Sequence, residues 1–133
     1  MAKDYGTFEC SWCGKVKKCK HPSVSYNKYC NSKCSGSHRA QQRIDGYLLE
    51  GNFTSKNKQL PIFIKQYIRN RDETCAVCNT REWNGSSIIL EVDHIDGNYT
   101  NNSPDNLRAL CPNCHSQTNT YKNRNRGNGR TLR

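Results

Sequence analysis

Two Cys-x-x-Cys pairs enclose the residues of this chain that are best suited to chemistry. The pairs are CAVC at 75–78 and CPNCH at 111–115, and the segment VDHIDGN lies between them at 92–98. Cysteines at this spacing are typical zinc ligands. An aspartate followed directly by a histidine is hard to explain by packing, so we predict that the enclosed polar residues form a catalytic metal site. The predicted ligands of a structural zinc ion are Cys75, Cys78, Cys111 and Cys114.

A second set of cysteines occupies the first 34 residues. The segment FECSWCG at 8–14 is a tight turn, and VSYNKYC at 24–30 alternates as a short strand would before a helix begins. A knuckle, a hairpin and a helix that carries the last two ligands would make a treble-clef arrangement. Cys19, His21 or His38 could replace one ligand of this set. The predicted ligands of a second structural zinc ion are Cys10, Cys13, Cys30 and Cys34.

The composition limits the size of the core and indicates an anionic partner. Only 33% of the 133 residues are hydrophobic, so a large core is not expected, and metal staples suit a chain with nine cysteines. The net charge of +10 predicts attraction to a polyanion, with nucleic acid as the first candidate. A basic protein that is merely soluble is the alternative.

The sequence shows no signal peptide and no apolar run long enough to span a membrane. Thiolate–zinc chemistry suits a reducing compartment. We therefore expect a cytoplasmic location and no membrane partner.

The chemistry requires an element that presents the Asp-His pair. The segment SSIILEV at 86–92 is the best strand in the chain, and it delivers Asp93 and His94 at its end. Adjacent strand residues face opposite sides, so the two side chains can act on a metal ion and on water from different directions. Trp83, just before the Asn84-Gly85 turn, is predicted to be the largest core residue.

The second half of the site requires a return strand and a helix. A polar loop follows His94, and residues 107–110 are apolar enough to return as a strand. Pro112 suits the first turn of a helix. His115 and Asn119 are four residues apart, so they are predicted to share one face of that helix.

These motifs together resemble the HNH family of nucleases. DHIDGN at 93–98, NL at 106–107 and CPNCHSQTNTY at 111–121 carry the resemblance, which covers about residues 60–122. The three letters of the family name correspond to His94, Asn106 and His115. The resemblance extends to phage enzymes, including homing-type endonucleases, so the cytoplasm would be that of the host cell if the chain is phage-encoded. It implies an α+β class and a small zinc-stabilised ββα-metal, treble-clef-like domain, preceded here by an N-terminal treble-clef-like zinc finger and linking helices.

The resemblance and the residue chemistry assign roles within the site. A histidine side chain has an unperturbed pKa of about 6.5, which suits His94 to accept a proton from water as a general base. Asp93 is a hard oxygen ligand for Mg²⁺ or Mn²⁺. Family analogy makes His115 the second ligand, with zinc binding as its rival role, and makes Asn119 the third. It also gives Asn106 a structural role, in which its side chain ties the loop and orients the general base.

The predicted organisation has four parts, with the positive charge spread over several of them. They are an N-terminal zinc-binding module at 1–36, a helical and basic linker region at 37–72, an HNH nuclease domain at 73–122 and a basic flexible tail at 123–133. Basic side chains on helices and tails can track phosphates, although a solvated surface explains them equally well. The residues predicted to contact DNA are Arg39, Arg43, Lys65, Arg69, Lys122, Arg124 and Arg126.

The predicted function is hydrolysis of phosphodiester bonds in double-stranded DNA by a metal-dependent HNH endonuclease. One active site per chain favours nicking by a monomer or a weak dimer. The family resemblance implies 5′-phosphate and 3′-hydroxyl products. Two alternatives are a zinc-finger DNA-binding protein without catalysis and a phage accessory or packaging protein.

Overall fold

The computed structural model describes residues 3–125, which form short strands and three α-helices. This mixture agrees with the predicted combination of helices and strands. None of the described helices has the length and apolar character needed to cross a membrane. Short 3-10 helices occur at Val24–Asn27, Pro104–Asn106 and Lys122–Asn125. The main elements in chain order are β1 (Thr7–Glu9), β2 (Val16–Lys18), α1 (Ser32–Glu50), α2 (Ile62–Asp72), β3 (Glu82–Trp83), β4 (Ser86–Ser87), β5 (Glu91–His94), β6 (Leu107–Leu110) and α3 (Pro112–Ser116).

The chain divides into two compact units, Met1–Asp45 and Gly46–Arg133, and the division falls within α1. Each unit contains one of the predicted cysteine sets. The four-part organisation predicted from the sequence stays a prediction. Residues 126–133, which make up most of the predicted basic tail, lie outside the described residues.

The first unit is built around a two-stranded hairpin. β1 and β2 are antiparallel, with Phe8 opposite Lys17. The predicted strand that ends at Cys30 is wrong, because residues Val24–Asn27 form a 3-10 helix. Asn27 explains the difference: its side chain donates to the backbone carbonyls of His21 and Ser23 and accepts from the N–H of Lys20. These bonds fold the segment onto itself and leave it without a strand partner.

The second unit has a core between α2 and the β5–β6 ribbon. Ile64 and Ile68 of α2 are fully buried and belong to the same apolar cluster as Leu107 and Leu110 of β6. Tyr47, at the C-terminal end of α1, completes the cluster. Fully burying one aliphatic side chain of this size contributes about 1.5–3 kcal/mol, so the cluster is a main source of stability for the unit.

Trp83 is 72% exposed, so its predicted place in the core is wrong. The expected single strand at 86–92 is divided: β3 and β4 form a small hairpin around Asn84-Gly85, and β5 begins only at Glu91. Asn84 and Gly85 both have positive φ, as a tight two-residue turn requires. The hairpin places Trp83 at the surface, and Leu90 lies in the core instead.

The end of α2 is fastened to the strand that carries half of the site. The guanidinium of Arg71 donates to the carbonyls of Pro104 and Leu107, and the carboxylate of Asp72 accepts from the backbone N–H of Ala109. Arg71 and Asp72 also pair with each other at 2.6 Å. These bonds fix β6 against the helix and so fix the start of α3.

Candidate active site

The four predicted cysteines of each set come together in the structure. In each group the sulfur atoms lie within 4.8 Å of one another. The sulfur atoms of Cys30 and Cys34 are 3.4 Å apart, and those of Cys78 and Cys111 are 3.8 Å apart. Tetrahedral zinc with Zn–S bonds of about 2.3 Å would hold its sulfur ligands at about this spacing. Both groups could therefore hold a structural metal ion.

The thiols in these groups have displaced pKa values. A backbone N–H of Cys13 helps to lower the pKa of Cys10 to about 6, whereas a hydrogen bond with Cys30 raises the pKa of Cys34 to about 12. Burial would raise the pKa of Cys75, but backbone N–H groups lower it to about 6. Metal ligation requires thiolates, so loading either group releases protons from its more basic cysteines.

The three alternative ligands of the N-terminal set lie outside that group. His38 Nδ1 is 2.9 Å from the hydroxyl of Tyr29, and His21 Nδ1 accepts from the N–H of Ser23. The metal-binding group found among the described residues consists of the four cysteines and does not include Cys19. Hydrogen bonds therefore occupy one ring nitrogen of each histidine.

Asp93 and His94 lie at the end of β5, opposite β6. Asp93 is only 6% exposed, and its Oδ2 accepts a hydrogen bond of 2.9 Å from Nε of Arg108, its cross-strand partner. Its other oxygen, Oδ1, is 3.7 Å from Nε2 of His115. That separation is too long for a hydrogen bond and is suitable for two atoms that ligate the same cation.

His115 is oriented by a second carboxylate. Its Nδ1 is 2.5 Å from Oε2 of Glu91, and its ring makes an edge contact with Tyr121. A carboxylate can only accept, so Nδ1 carries a proton, and in the neutral ring Nε2 keeps the lone pair on the side of Asp93. Metal-binding histidines commonly donate their other ring N–H to a carboxylate in this way. Asp93 and His115 thus fit a divalent cation by donor type and by separation.

His94 contacts a residue that sequence analysis did not select. Its Nε2 is 2.8 Å from Oδ1 of Asn102. The amide nitrogen of Asn102 donates to the carbonyl of Phe53, which fixes the amide so that its oxygen faces His94. Nε2 of His94 must therefore donate, and in the neutral ring Nδ1 keeps the lone pair. The arrangement leaves Nδ1 as the basic nitrogen.

Asn102 is 4% exposed and is held on several sides. Its backbone N–H donates to the side chain of Asn52, and its backbone carbonyl accepts from the hydroxyl of Tyr47 at 2.6 Å. The end of α1 and the segment that follows it therefore fix the residue that orients His94. Both parts belong to the predicted linker region at 37–72.

Asn106 ties the loop that connects β5 to β6. Its amide nitrogen donates to Asp96 Oδ1 and to the carbonyl of Asn101, both at 2.8 Å, and its amide oxygen accepts from the N–H of Asp96. Burial would raise the pKa of Asp96, but hydrogen bonds from Asn101, Asn98 and Asn106 lower it below its ordinary value. Asn106 therefore acts on the loop, while the direct partner of His94 is Asn102.

Asn119 does not share a helical face with His115, so that prediction is wrong. α3 ends at Ser116, because the N–H of Gln117 bonds to Cys114 and the N–H of Thr118 bonds to His115 in a tightened last turn. Asn119 is exposed in the segment after the helix.

The residues predicted to contact DNA have different surroundings. Arg39 and Arg43 are exposed on α1, and Lys65 is half-buried on α2. Arg69 donates to the carbonyl of Leu90, which ties it to the core. The remaining three are exposed Lys122 beside Tyr121, Arg124 bonded to the carbonyls of Ser116 and Thr118, and Arg126 outside the described residues.

Three residues of the site were not predicted from the sequence. Glu91 could have been found, because it lies two residues before Asp93 on the same strand and so on the same face. Arg108 required the register of β5 with β6. Asn102 carried no local signal, since the loop from 95 to 106 contains four asparagines of similar appearance.

Comparisons with known proteins agree on one family. The model of the HNH endonuclease family matches residues 85–117. The H-N-H endonuclease F-TflIV of Escherichia phage T5 is 39% identical over 84 residues, which are 61% of this chain and 35% of that protein. A probable HNH endonuclease of Lactococcus phage SK1 is 37% identical over 87 residues, which are 57% of this chain and 84% of that protein. The match thus spans about a third of the T5 relative. No solved structure matches significantly.

The matched segment includes the Asp-His pair, Asn102, Asn106 and His115, so it coincides with the arrangement described above. The match to the SK1 protein extends over most of that relative. The chain therefore belongs to the HNH endonuclease family.

Proposed function

We propose that this chain is a metal-dependent endonuclease that hydrolyses phosphodiester bonds in double-stranded DNA. One observation supports this above all. His94, whose Nδ1 keeps the lone pair in the neutral ring, lies in the chain beside Asp93, and Oδ1 of Asp93 is 3.7 Å from Nε2 of His115. A structural role alone does not require two histidines with oppositely assigned ring nitrogens.

In the proposed reaction His94 acts as the general base. Its Nδ1 takes a proton from water while the water oxygen forms a bond to phosphorus, and Asn102 holds the ring in this tautomer. The bond from phosphorus to the 3′ oxygen breaks, and that oxygen acquires a proton from solvent. The products carry a 5′-phosphate and a 3′-hydroxyl.

Asp93 and His115 are the proposed ligands of the catalytic cation. Mg²⁺ or Mn²⁺, when bound there, supplies positive charge to the scissile phosphate and to the leaving oxygen. Arg108 bonds the other carboxylate oxygen of Asp93, and Glu91 bonds the other ring nitrogen of His115, so each orients one ligand. Asn119, which family analogy made the third ligand, is left out of this set, because it lies beyond the end of α3 and does not share a helical face with His115.

The finer structural proposals follow from the same arrangement. β5, β6 and α3 constitute the ββα-metal unit, and the two cysteine groups hold zinc in treble-clef-like settings. We propose nicking of one strand per encounter, as for a homing-type phage enzyme, because each chain supplies one His94. DNA remains the proposed partner of the exposed basic residues.

The test is cleavage of supercoiled plasmid with added Mg²⁺ or Mn²⁺, comparing the wild type with His94→Ala. His21→Ala is the matched control, because it removes a histidine from the other unit. Zinc content is measured in all three proteins, so that loss of folding is not mistaken for loss of chemistry. We expect nicking by the wild type and the control, and a decrease of about 100-fold or more for His94→Ala.

Three results would point elsewhere. Unchanged nicking by zinc-loaded His94→Ala would remove His94 as the base. DNA binding without cleavage by the wild type would favour a zinc-finger binding protein. Cleavage that occurs only beside other phage proteins would favour an accessory or packaging role.

A further inference from the structure

The net positive charge of the chain is somewhat larger in the first unit than in the unit that carries the active site. Residues 1–45 have nine basic and three acidic side chains, whereas residues 46–125 have nine basic and eight acidic. The unit with the Asp-His pair is therefore almost neutral through residue 125. Residues 126–133 add three arginines, so the net charge is +6 for residues 1–45 and +4 for residues 46–133. Because electrostatic attraction provides most of the sequence-independent affinity for DNA, the first unit has the larger share of it.

The densest basic segment of the first unit begins in the turn of the β1–β2 hairpin and ends two residues after β2. Four lysines occur within six residues, and all four are exposed. We call this set the lysine hairpin, and it consists of Lys15, Lys17, Lys18 and Lys20. Every ion pair found among the described residues lies in the second unit, so no described carboxylate neutralises these lysines.

The lysine hairpin is anchored to the first cysteine group. The N–H of Cys10 donates to the carbonyl of Lys15, so the knuckle begins where the lysines begin. Trp12, between two of the cysteines, is 43% exposed, and its ring lies 5.9 Å from that of His38. A rigid, basic turn with an adjoining aromatic ring suits a nucleic-acid backbone.

We propose that the lysine hairpin is the main phosphate-binding surface of the first unit and that it holds the double-stranded DNA on which the second unit acts. This inference rests on the proposed function only for the identity of the DNA partner. It assigns affinity to one unit and bond cleavage to the other. Lys17 and Lys18 are neighbours on a strand and face opposite sides, so each side is tested by its own variant.

The first experiment measures DNA binding by fluorescence anisotropy at several salt concentrations, in a His94→Ala background that prevents cutting. The variants are K15Q/K17Q and K18Q/K20Q, and the control K56Q/K58Q removes two charges from the second unit. We expect at least one hairpin variant to lose about tenfold in affinity near 0.1 M salt and to lower the salt slope by about two. The control should remain within about twofold of the parent protein.

The second experiment uses the two tryptophans of the chain as separate reporters. In the same background, Trp83→Phe leaves only Trp12 and Trp12→Phe leaves only Trp83. DNA should change the emission of Trp12, with the same midpoint as the anisotropy titration. The inference is overturned if neither hairpin variant weakens binding more than K56Q/K58Q, or if Trp12 does not respond to DNA that is bound.

Failure of this inference and failure of the proposed function are distinguishable. If the protein with native His94 nicks plasmid while the lysine hairpin proves irrelevant to binding, the function stands and the anchor lies elsewhere. If hairpin variants weaken binding but the protein never cuts, the anchor stands and the nuclease proposal fails.

Discussion

At the scale of single residues, two histidines differ in which ring nitrogen is left available. His94 donates through Nε2 to Asn102, whereas His115 uses Nδ1 toward Glu91. In the neutral rings, the nitrogen that keeps the lone pair is therefore Nδ1 in the first and Nε2 in the second. The hydrogen-bond partner of each ring therefore determines whether that ring is suited to accept a proton or to bind a metal ion.

Asn102→Asp tests whether this amide sets the protonation of His94. A carboxylate at this position would stabilise a protonated imidazole, so the acidic limb of the pH–rate profile should move up by about one pH unit or more. Asn98→Asp is the control, because Asn98 is exposed and its oxygen serves Thr100. A lower rate with an unmoved profile would mean that Asn102 is only a structural residue.

Glu91→Gln tests the carboxylate behind His115. The variant keeps the size of the side chain but weakens the orientation of the ligand, so the Mn²⁺ concentration for half-maximal cleavage should rise about 10–100-fold. The maximal rate at saturating Mn²⁺ should largely recover. Glu82→Gln, on the exposed β3 strand, should leave the midpoint unchanged. An unchanged midpoint for Glu91→Gln would remove Glu91 from the metal site.

At the scale of elements, the end of α1 acts on the active site through a loop. The hydroxyl of Tyr47 donates to the carbonyl of Asn102, and Asn52 and Phe53 bond the same residue. α2 holds the opposite side by binding the backbone of β6 through Arg71 and Asp72. The loop that carries Asn102 is thus positioned by residues about 50 positions away, as its hydrogen bonds show.

Tyr47→Phe should destabilise the second unit by about 1–3 kcal/mol, because the carbonyl of Asn102 loses a buried donor. Burial raises the pKa of Tyr47 to about 12 from an ordinary value of 10.0. The stability that this neutral hydroxyl provides is therefore full below pH 10.0 and is lost as the pH rises toward about 12. Urea unfolding of wild type and variant across this range measures both effects.

Tyr67→Phe is the control for this prediction. Tyr67 is half-buried in the same cluster, but its hydroxyl makes no hydrogen bond with any described residue. It should change the free energy of unfolding by less than about 0.5 kcal/mol. Equal losses in the two variants would contradict the role given to the Tyr47 hydroxyl.

At the scale of the whole molecule, each compact unit has its own four-cysteine group. Small units with little apolar content often depend on metal for their fold. The two groups lie on separate sides of the boundary within α1, so loss of one ion should not require loss of the other. Separate metal groups are compatible with the proposed division of DNA binding and bond cleavage between the units.

Zinc content should follow this division. We expect two zinc ions per chain in the wild type and one in each of Cys34→Ser and Cys111→Ser, as measured by mass spectrometry of the metal. Cys111→Ser should lose cleavage, whereas Cys34→Ser should keep it at high protein concentration and low salt. Cys19→Ser should retain both ions, because Cys19 lies outside both groups. Loss of both ions from Cys34→Ser would show that the units do not fold separately.

The sequence by itself determined the parts of this protein that depend on short spacings. Both cysteine sets were found from pairs three or four residues apart, and the structure brings each set together. The return strand at 107–110 also agrees with the structure. A single turn or the start of a helix sets the relative positions of residues this close in the chain, because few backbone conformations can connect them.

Only the tertiary structure decided which polar side chains meet. The four loop asparagines look alike in the sequence, yet packing of Asn52 and Phe53 selects Asn102 as the partner of His94. Trp83 was expected inside because it is large and apolar, but a two-residue turn carries it outward. Hydrogen bonds and burial between distant segments depend on how elements pack, and local residue preferences do not specify that packing.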